Sequence, residues 1–454
     1  MFVVNYLLPF FGMLVALIVI HELGHYFTAK FFNIKVLEAG LGYPPRIWGF
    51  NWKGTLYSVN LLPLGGFVRL MGEEDPDDPQ SLAAQARWKR IIVLASGSVM
   101  NLALPILLFT LVFMLPREVP VGPATVTTVV PNSPAASAGL EPGDVIQEIE
   151  GQSVKNSSEA IRITRLHQGQ TIEFKVKRPD PTGGDAQILT LYAKSRWDPP
   201  PITYTVQPGD TVRSVAEKLG LPENQIRAAA DIKQSLEPGT KLTIESPDGP
   251  IEYRVRDGDS VETVARRLDV TKAAVREAAD LPDPGVLEVG EKLSMSQGPI
   301  GIGIGNLYPF TENESYGFFT SVRKGWTATW ETLILFRNQI LTIFHGGGGP
   351  DFAGPVGIAQ TTGEVVEDAG WKPLLELAAL LSINLGIVNM LPLPMLDGGR
   401  IVFVLIEIAR RGKRIAPEKE AIVHLVGLAL ILTMAIVVTY FDVARIIGGG
   451  SLFE

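Results

Sequence analysis

From Phe2 through Ile20 no residue is charged, and the apolar run then continues through His21-Glu22-Leu23-Gly24-His25. A stretch of this length can cross a hydrocarbon core of about 30 Å as a single helix. Inside that core every backbone polar group must be paired within the segment, so a helix is the form the run must take. On a helix, positions i and i+4 share a face. Both imidazoles can therefore hold one metal ion, while the glutamate beside them reaches a water activated by it. The alternative is a pair of packed histidines with a chance glutamate between them. Membrane depth weighs against it, because a carboxylate at the centre of a span costs about 2.5–3.5 kcal/mol. A cleavable leader is set aside, since the stretch has neither a basic n-region nor a small-residue cleavage site.

The apolar residues of this 454-residue chain fall in blocks, with candidate spans at about 3–31, 91–115, 374–391 and 422–440. The third is the shortest and carries Glu376 near its start. Lysine and arginine crowd between the first and second spans (Lys30 to Arg90) and between the third and fourth (Arg400 to Lys419). The positive-inside rule makes both loops cytoplasmic. Both termini and the large region from Pro116 to Trp371 are then extracytoplasmic. The absence of cysteine excludes thiol catalysis, disulfides and thiolate ligands.

Between the first two spans, Gly40 to Leu70 alternates apolar and polar residues and is broken by glycine and proline. It reads as short strands lying at the cytoplasmic mouth of the site, either a re-entrant β-loop or an ordinary hairpin. The acidic run Glu73 to Asp78 reads as a solvated loop. Past the second span, Ala135-Ala136-Ser137-Ala138-Gly139-Leu140-Glu141-Pro142-Gly143-Asp144-Val145-Ile146 is similar to the signature of PDZ domains, which take up extended peptides at a sheet edge. A repeat follows at a displacement of 49 residues. Tyr204-Thr205-Val206 through Asp210-Thr211-Val212 matches Tyr253-Arg254-Val255 through Asp259-Ser260-Val261, and Gly239 to Leu242 matches Gly290 to Leu293. Each unit reads strand, helix, helix, strand and resembles a LysM domain, a family that binds N-acetylglucosamine polymers such as peptidoglycan. Ala230-Asp231 and Ala279-Asp280 stand where that family commonly has asparagine, so the fold is better supported than the ligand. Gly298 to Ile304 reads as the strand that closes the PDZ sheet, which makes the repeats an insertion. Trp326 to Phe344 carries Glu331, Arg337, Asn338 and Gln339 and reads as an amphipathic helix on the outer membrane face, with His345 a loop residue beyond it.

Two histidines leave zinc one short of the three protein ligands of a hydrolytic site. Asn389-Met390-Leu391-Pro392-Leu393-Pro394-Met395-Leu396-Asp397-Gly398-Gly399 breaks the third span just where an aspartate appears. Broken helices at membrane depth line functional cavities. Capping of a following helix by Asp397 is compatible with ligation. H-E-x-x-H, N-x-x-P-x-P-x-L-D-G, the PDZ-like segment and Phe352-Ala353-Gly354-Pro355-Val356-Gly357-Ile358 together resemble the site-2 protease family of intramembrane zinc metalloproteases, in its bacterial RseP-like branch. The resemblance covers nearly all of the chain except the LysM pair. It implies that His21, His25 and Asp397 hold zinc and that Glu22 activates water. It also implies that Asn389, with Gly65, Gly66 and Phe67 of a membrane-associated β-element, holds the substrate strand.

The expectation is therefore a polytopic α-helical membrane protein with four transmembrane helices. Its parts are the first span (1–33), the β-element (34–90), the second span (91–116), a PDZ domain (120–200, completed by 298–306), LysM-like repeats (202–246 and 251–296), an interfacial helix and loop (311–371), the third span (372–397), a basic segment (398–420) and the fourth span (421–445). The expected partners are single-span membrane proteins, membrane lipid and peptidoglycan, with no nucleic acid, at a bacterial plasma membrane. A zinc transporter, or a non-catalytic envelope-binding protein, is the rival reading of the same residues.

Overall fold

The structure is a computed structural model that describes residues 8–454 except 74–76, 181–182, 220, 222, 231–235, 237–238, 247–248, 257–260, 269, 280–286, 288, 307–309, 347–353, 355, 361, 364–371 and 448–454. The chain divides into two compact units, one of Met1–Arg117, Asn313–Phe336 and Gly349–Glu454, the other of Glu118–Glu312 and Arg337–Gly348.

The first unit opens with helix α1 (Leu8–Phe31), the paired strands β1 (Val36–Trp52) and β2 (Thr55–Leu70), and helix α2 (Arg87–Met114). The strands are longer than the sequence pattern suggests, and each is used twice. Leu41 lies opposite Gly66 on one side and Val59 on the other, while Trp48, Phe50 and Trp52 pair with Val59, Tyr57 and Thr55. Among the described residues, the segment Gly66–Leu70 therefore pairs with residues 36–41 alone. Helices α1 and α2 meet through small residues. A methyl group at Gly24 would collide with the Ser96 carbonyl, and Thr28 Oγ1 lies 2.8 Å from Ser96 Oγ. An interhelical hydrogen bond in a membrane contributes on average about 0.6 kcal/mol. The close backbone approach that glycine permits is accordingly the larger determinant of this crossing.

In the second unit, β3 (Arg117–Val121) leads into β4 (Ala124–Val129), α3 (Pro134–Ala138), β5 (Val145–Ile149), β6 (Gln152–Ser153), α4 (Ser157–Leu166), β7 (Thr171–Arg178) and β8 (Gln187–Lys194). Ser133 caps α3 through the Ala136 amide, and Gly139 ends it at φ +82°. Asn156 caps α4 through the Glu159 amide. The sheet order is β13-β4-β5-β7-β8, where β13 (Ile302–Asn306) returns after an insertion. Phe174, Ile146, Ile149, Ile163 and Ile172 are buried between this sheet and its helices.

The insertion consists of β9 (Ile202–Thr205), α5 (Val212–Leu219), α6 (Glu223–Ala229), β10 (Lys241–Ile244), β11 (Ile251–Arg254), α7 (Val261–Leu268), α8 (Lys272–Ala278) and β12 (Lys292–Met295). Here the arrangement differs from two repeats in series. Strand β9 pairs with β12, and β10 pairs with β11. One core therefore joins Val206, Val212, Val215 and Ile226 of the first repeat to Leu287, Leu293 and Met295 of the second. The other joins Leu242 and Ile244 to Val255, Val261, Val264 and Val275. The divisions 202–246 and 251–296 do not describe the folded modules, because one module sits inside the other and the closing strands are exchanged. The exchange keeps the apolar pairing alike, with a leucine opposite a tyrosine in each sheet, Leu242 with Tyr253 and Leu293 with Tyr204. We expect Leu293→Asp to strip hydrogen-exchange protection from Val212–Leu219 of the first repeat and to spare Val261–Leu268 of its own repeat; the opposite pattern would refute the nesting.

After β14 (Phe310–Glu314), the chain forms α9 (Phe318–Phe344), α10 (Pro373–Met390), α11 (Asp397–Ala409) and α12 (Pro417–Ile447). Helix α9 starts at Phe318, ahead of the expected Trp326. Gly325 is the reason its first half can lie against α2, since a methyl there would be 2.7 Å from both the Ile106 carbonyl and Thr110 Oγ1. The third span ends at Met390, not at Asp397, and most of the expected basic segment 398–420 is the apolar helix α11. Glu407 on α11 explains how this segment is held. It lies buried between Arg87 Nε at 3.1 Å and Arg90 Nη1 at 2.6 Å. Burial opposes its charge, but these arginines outweigh that and hold its carboxyl below the usual carboxylate range. Among the described residues, α1, α2, α10 and 417–443 of α12 are long and apolar enough to cross a membrane. His345 stacks on Trp197, with ring centroids 5.3 Å apart. Asp231, Asp280, the glycines 347–349, and Phe352, Ala353 and Pro355 lie outside the described residues.

Candidate metal centre

His21 and His25, one turn apart on α1, face the start of α11. Their Nε2 atoms are 3.2 Å apart, and Asp397 Oδ2 lies 3.1 Å from the first and 3.4 Å from the second. Among the described residues this is the group of three whose donor atoms fall within 4.8 Å of one another in a way that could hold a metal ion. Four ligands placed tetrahedrally at zinc–ligand distances of about 2.0–2.1 Å are about 3.3–3.4 Å apart. The observed triangle has nearly those edges. Among the described residues, Asp397 Oδ2 is buried and has no hydrogen-bond donor. A carboxylate left so, beside two nitrogen lone pairs, is the arrangement that a cation relieves. The donor set, two imidazoles and a carboxylate, fits zinc in a hydrolytic site with one position left open.

The rings are aimed from α2. His25 Nδ1 donates to the Val93 carbonyl at 2.8 Å, which leaves its Nε2 with a lone pair toward the site. The Asn101 side-chain Nδ2 lies 3.3 Å from His21 Nδ1, and its buried Oδ1 has no partner among the described residues. Turning the amide end for end lets Oδ1 accept from Nδ1–H and frees His21 Nε2 as a ligand. Asn101 is itself fixed, since its backbone carbonyl accepts from Ser382 Oγ of α10 at 2.7 Å. Gly97 supplies the space, because a methyl there would collide with His25 Nε2 and stand 2.7 Å from His21 Nε2. Sequence reasoning missed Gly97 and Asn101. The available signal was their four-residue spacing and the placing of an amide in an otherwise apolar span.

Glu22 opens into a cavity of about 350 Å³ lined by His21, His25, Gly66, Phe67, Asn389 and Asp397, among others. The Val68 amide donates to its carboxylate. Gly66 and Phe67 thus border the cavity along the unpaired side of β2, and Asn389 meets it from the last turn of α10. Gly65 does not line it; at φ +126° it turns the chain against Ile18. Tyr43, Glu73 and Arg400 also line the cavity, and the last two form an ion pair of 2.5 Å.

A model of peptidase family M50 matches residues 9–434. The chain belongs to that family. This M50 peptidase is 25% identical to a putative zinc metalloprotease of Agrobacterium fabrum, over 98% of each chain. It is 26% identical to the zinc metalloprotease RasP of Oceanobacillus iheyensis, over 96% of this chain and 97% of the relative. A putative zinc metalloprotease of Clostridium perfringens is 28% identical over 94% and 95%. The M50 peptidase is accordingly a zinc metalloprotease, and its apolar helices make it a membrane protein.

Proposed function

We propose that the chain is a bacterial intramembrane protease in which His21, His25 and Asp397 hold zinc, Glu22 is the general base, and transmembrane segments of single-span proteins are cut. The observation that carries this is the triangle of Nε2, Nε2 and Oδ2 atoms beside Glu22 in one cavity. Zinc, when bound, polarises the scissile carbonyl and makes water acidic enough to attack near neutral pH. Glu22 takes the proton of the attacking water and later returns it to the leaving amine. A helical substrate has its carbonyl and amide already paired, so it must unwind first. The side of Gly66–Leu70 away from residues 36–41 offers replacement backbone partners, and Asn389, which lines the same cavity, supplies a further polar contact for the extended segment.

The orientation we propose follows from charge. Lys30 through Arg90 and Arg400 through Lys419 face the cytoplasm, and the termini and the second unit lie outside a plasma membrane. Exposed Phe319, Trp326 and Trp330 on α9 fit the interfacial level. The sheet closed by β13 serves as a PDZ-type filter for already trimmed substrates, and the nested modules serve as a LysM-like sensor of peptidoglycan. The test uses the full chain in liposomes with a model single-span substrate. Cleavage is expected to stop on zinc chelation and to return with zinc; chelator-resistant cleavage overturns the reading. Retention of the full chain on peptidoglycan sacculi tests the sensor separately.

A further inference from the structure

The loop that delivers Asp397 is held from a second direction. Between α10 and α11 the backbone makes two short-range bonds, from the Leu393 amide to Leu391 O and from the Leu396 amide to Leu393 O. Met395 stands in the left-handed region at φ +75° without being glycine, a conformation that persists where surrounding structure imposes it. Its amide donates to Nδ1 of His424 on α12 at 2.9 Å. His424 is 8% exposed and its ring lies against Phe403, with centroids 5.3 Å apart. An amide donor at Nδ1 requires the lone pair there, so the neutral ring carries its proton on Nε2. That atom faces Glu420 Oε1, one turn earlier, at 3.8 Å. Gly427, one turn later, lets α12 close on the loop, since a methyl there would collide with Pro394. On the other side, methyl groups at Gly398 and Gly399 would collide with the carbonyls of Met390, Leu391 and Leu393.

We propose that His424 is a positioning residue for the metal centre: by accepting the Met395 amide it fixes the turn that aims Asp397 at His21 and His25. The proposal rests on the reading of those three residues as zinc ligands. Among the described residues, His424 belongs neither to the group of metal donors nor to the cavity lining, and it acts through two residues of backbone. Partners that orient ligands from outside the first shell typically change metal affinity or activity by about 10–100-fold.

The test measures zinc affinity by chelator competition, together with kcat and KM on a model single-span substrate, in the full chain. His424→Phe keeps a ring against Phe403 and removes the acceptor, whereas His424→Asn restores an acceptor near the Nδ1 position. We expect zinc to bind about tenfold or more weakly in His424→Phe, with kcat reduced and KM little changed, and both to recover in His424→Asn. If His424→Phe fails to fold, His424→Leu takes its place in the comparison. Parental zinc affinity in the acceptor-less variant overturns the proposal. So does equal weakness of the asparagine variant, which would reduce His424 to packing. Asp397→Ala separates the two levels of the argument. Unchanged zinc there refutes the ligand set, whereas loss there with no effect at His424 refutes only the positioning role.

Discussion

Replacing Glu22 by glutamine lowers kcat for peptide-bond hydrolysis by about 10²–10⁴-fold, the range expected for loss of a placed general base, while zinc stays bound. In activation terms this is about 2.7–5.4 kcal/mol. The reasoning is local. The amide of Glu22→Gln keeps the shape of the side chain and can still meet the Val68 amide through its oxygen, so the edge of β2 stays in place. It cannot take a proton from water. His21 and His25 keep their support from Asn101 and Val93, so zinc content measured on the purified variant should equal that of the parent. KM should change little, because Gly66, Phe67 and Asn389 line the cavity independently of residue 22. Equal cleavage by both proteins would remove this cavity as the site of chemistry.

The same residues show what a sequence can and cannot carry. The pentad 21–25 is legible because its chemistry needs one helical face, and i,i+4 spacing supplies it. Asp397 is legible because two prolines break an apolar run beside an acid. Its placement is less so. The third span stops at Met390 and the acid opens a new helix, a difference set by how carbonyls of the break pack against Gly398 and Gly399. Asn101 and His424 act through hydrogen bonds to residues 80 and 29 positions away, and no local pattern encodes such a distance. The nested modules are a different kind of failure. Two repeats of nearly identical pattern offer each closing strand two equivalent partners, so local sequence cannot decide between series and exchange.

Removing the carboxylate of residue 397 should cost the site its metal. In Asp397→Ala the two imidazoles remain, and two neutral nitrogens at 3.2 Å are an incomplete set for zinc. We expect zinc per chain to fall from near-stoichiometric to a small fraction, and affinity to drop by more than the about 10–100-fold typical of an outer partner. Folding should survive. Asp397 lies in the first turn of α11, where a carboxylate contributes about 0.3–1 kcal/mol through the helix dipole. The helix is anchored elsewhere, by Val404 in a core with Ala29, Ile34 and Leu82 and by Glu407 among its arginines. The dipole contribution is shared by Asp397→Asn only in part, and an asparagine oxygen is a poorer ligand than a carboxylate. That variant should therefore keep the fold and still lose most of its zinc. The cap position itself is Leu396, with no side-chain cap hydrogen bond, so a helical spectrum equal to the parent's, together with lost zinc and lost cleavage, assigns Asp397 to the metal rather than to the helix start. Retained zinc in either variant would leave it as a first-turn charge on the helix dipole alone.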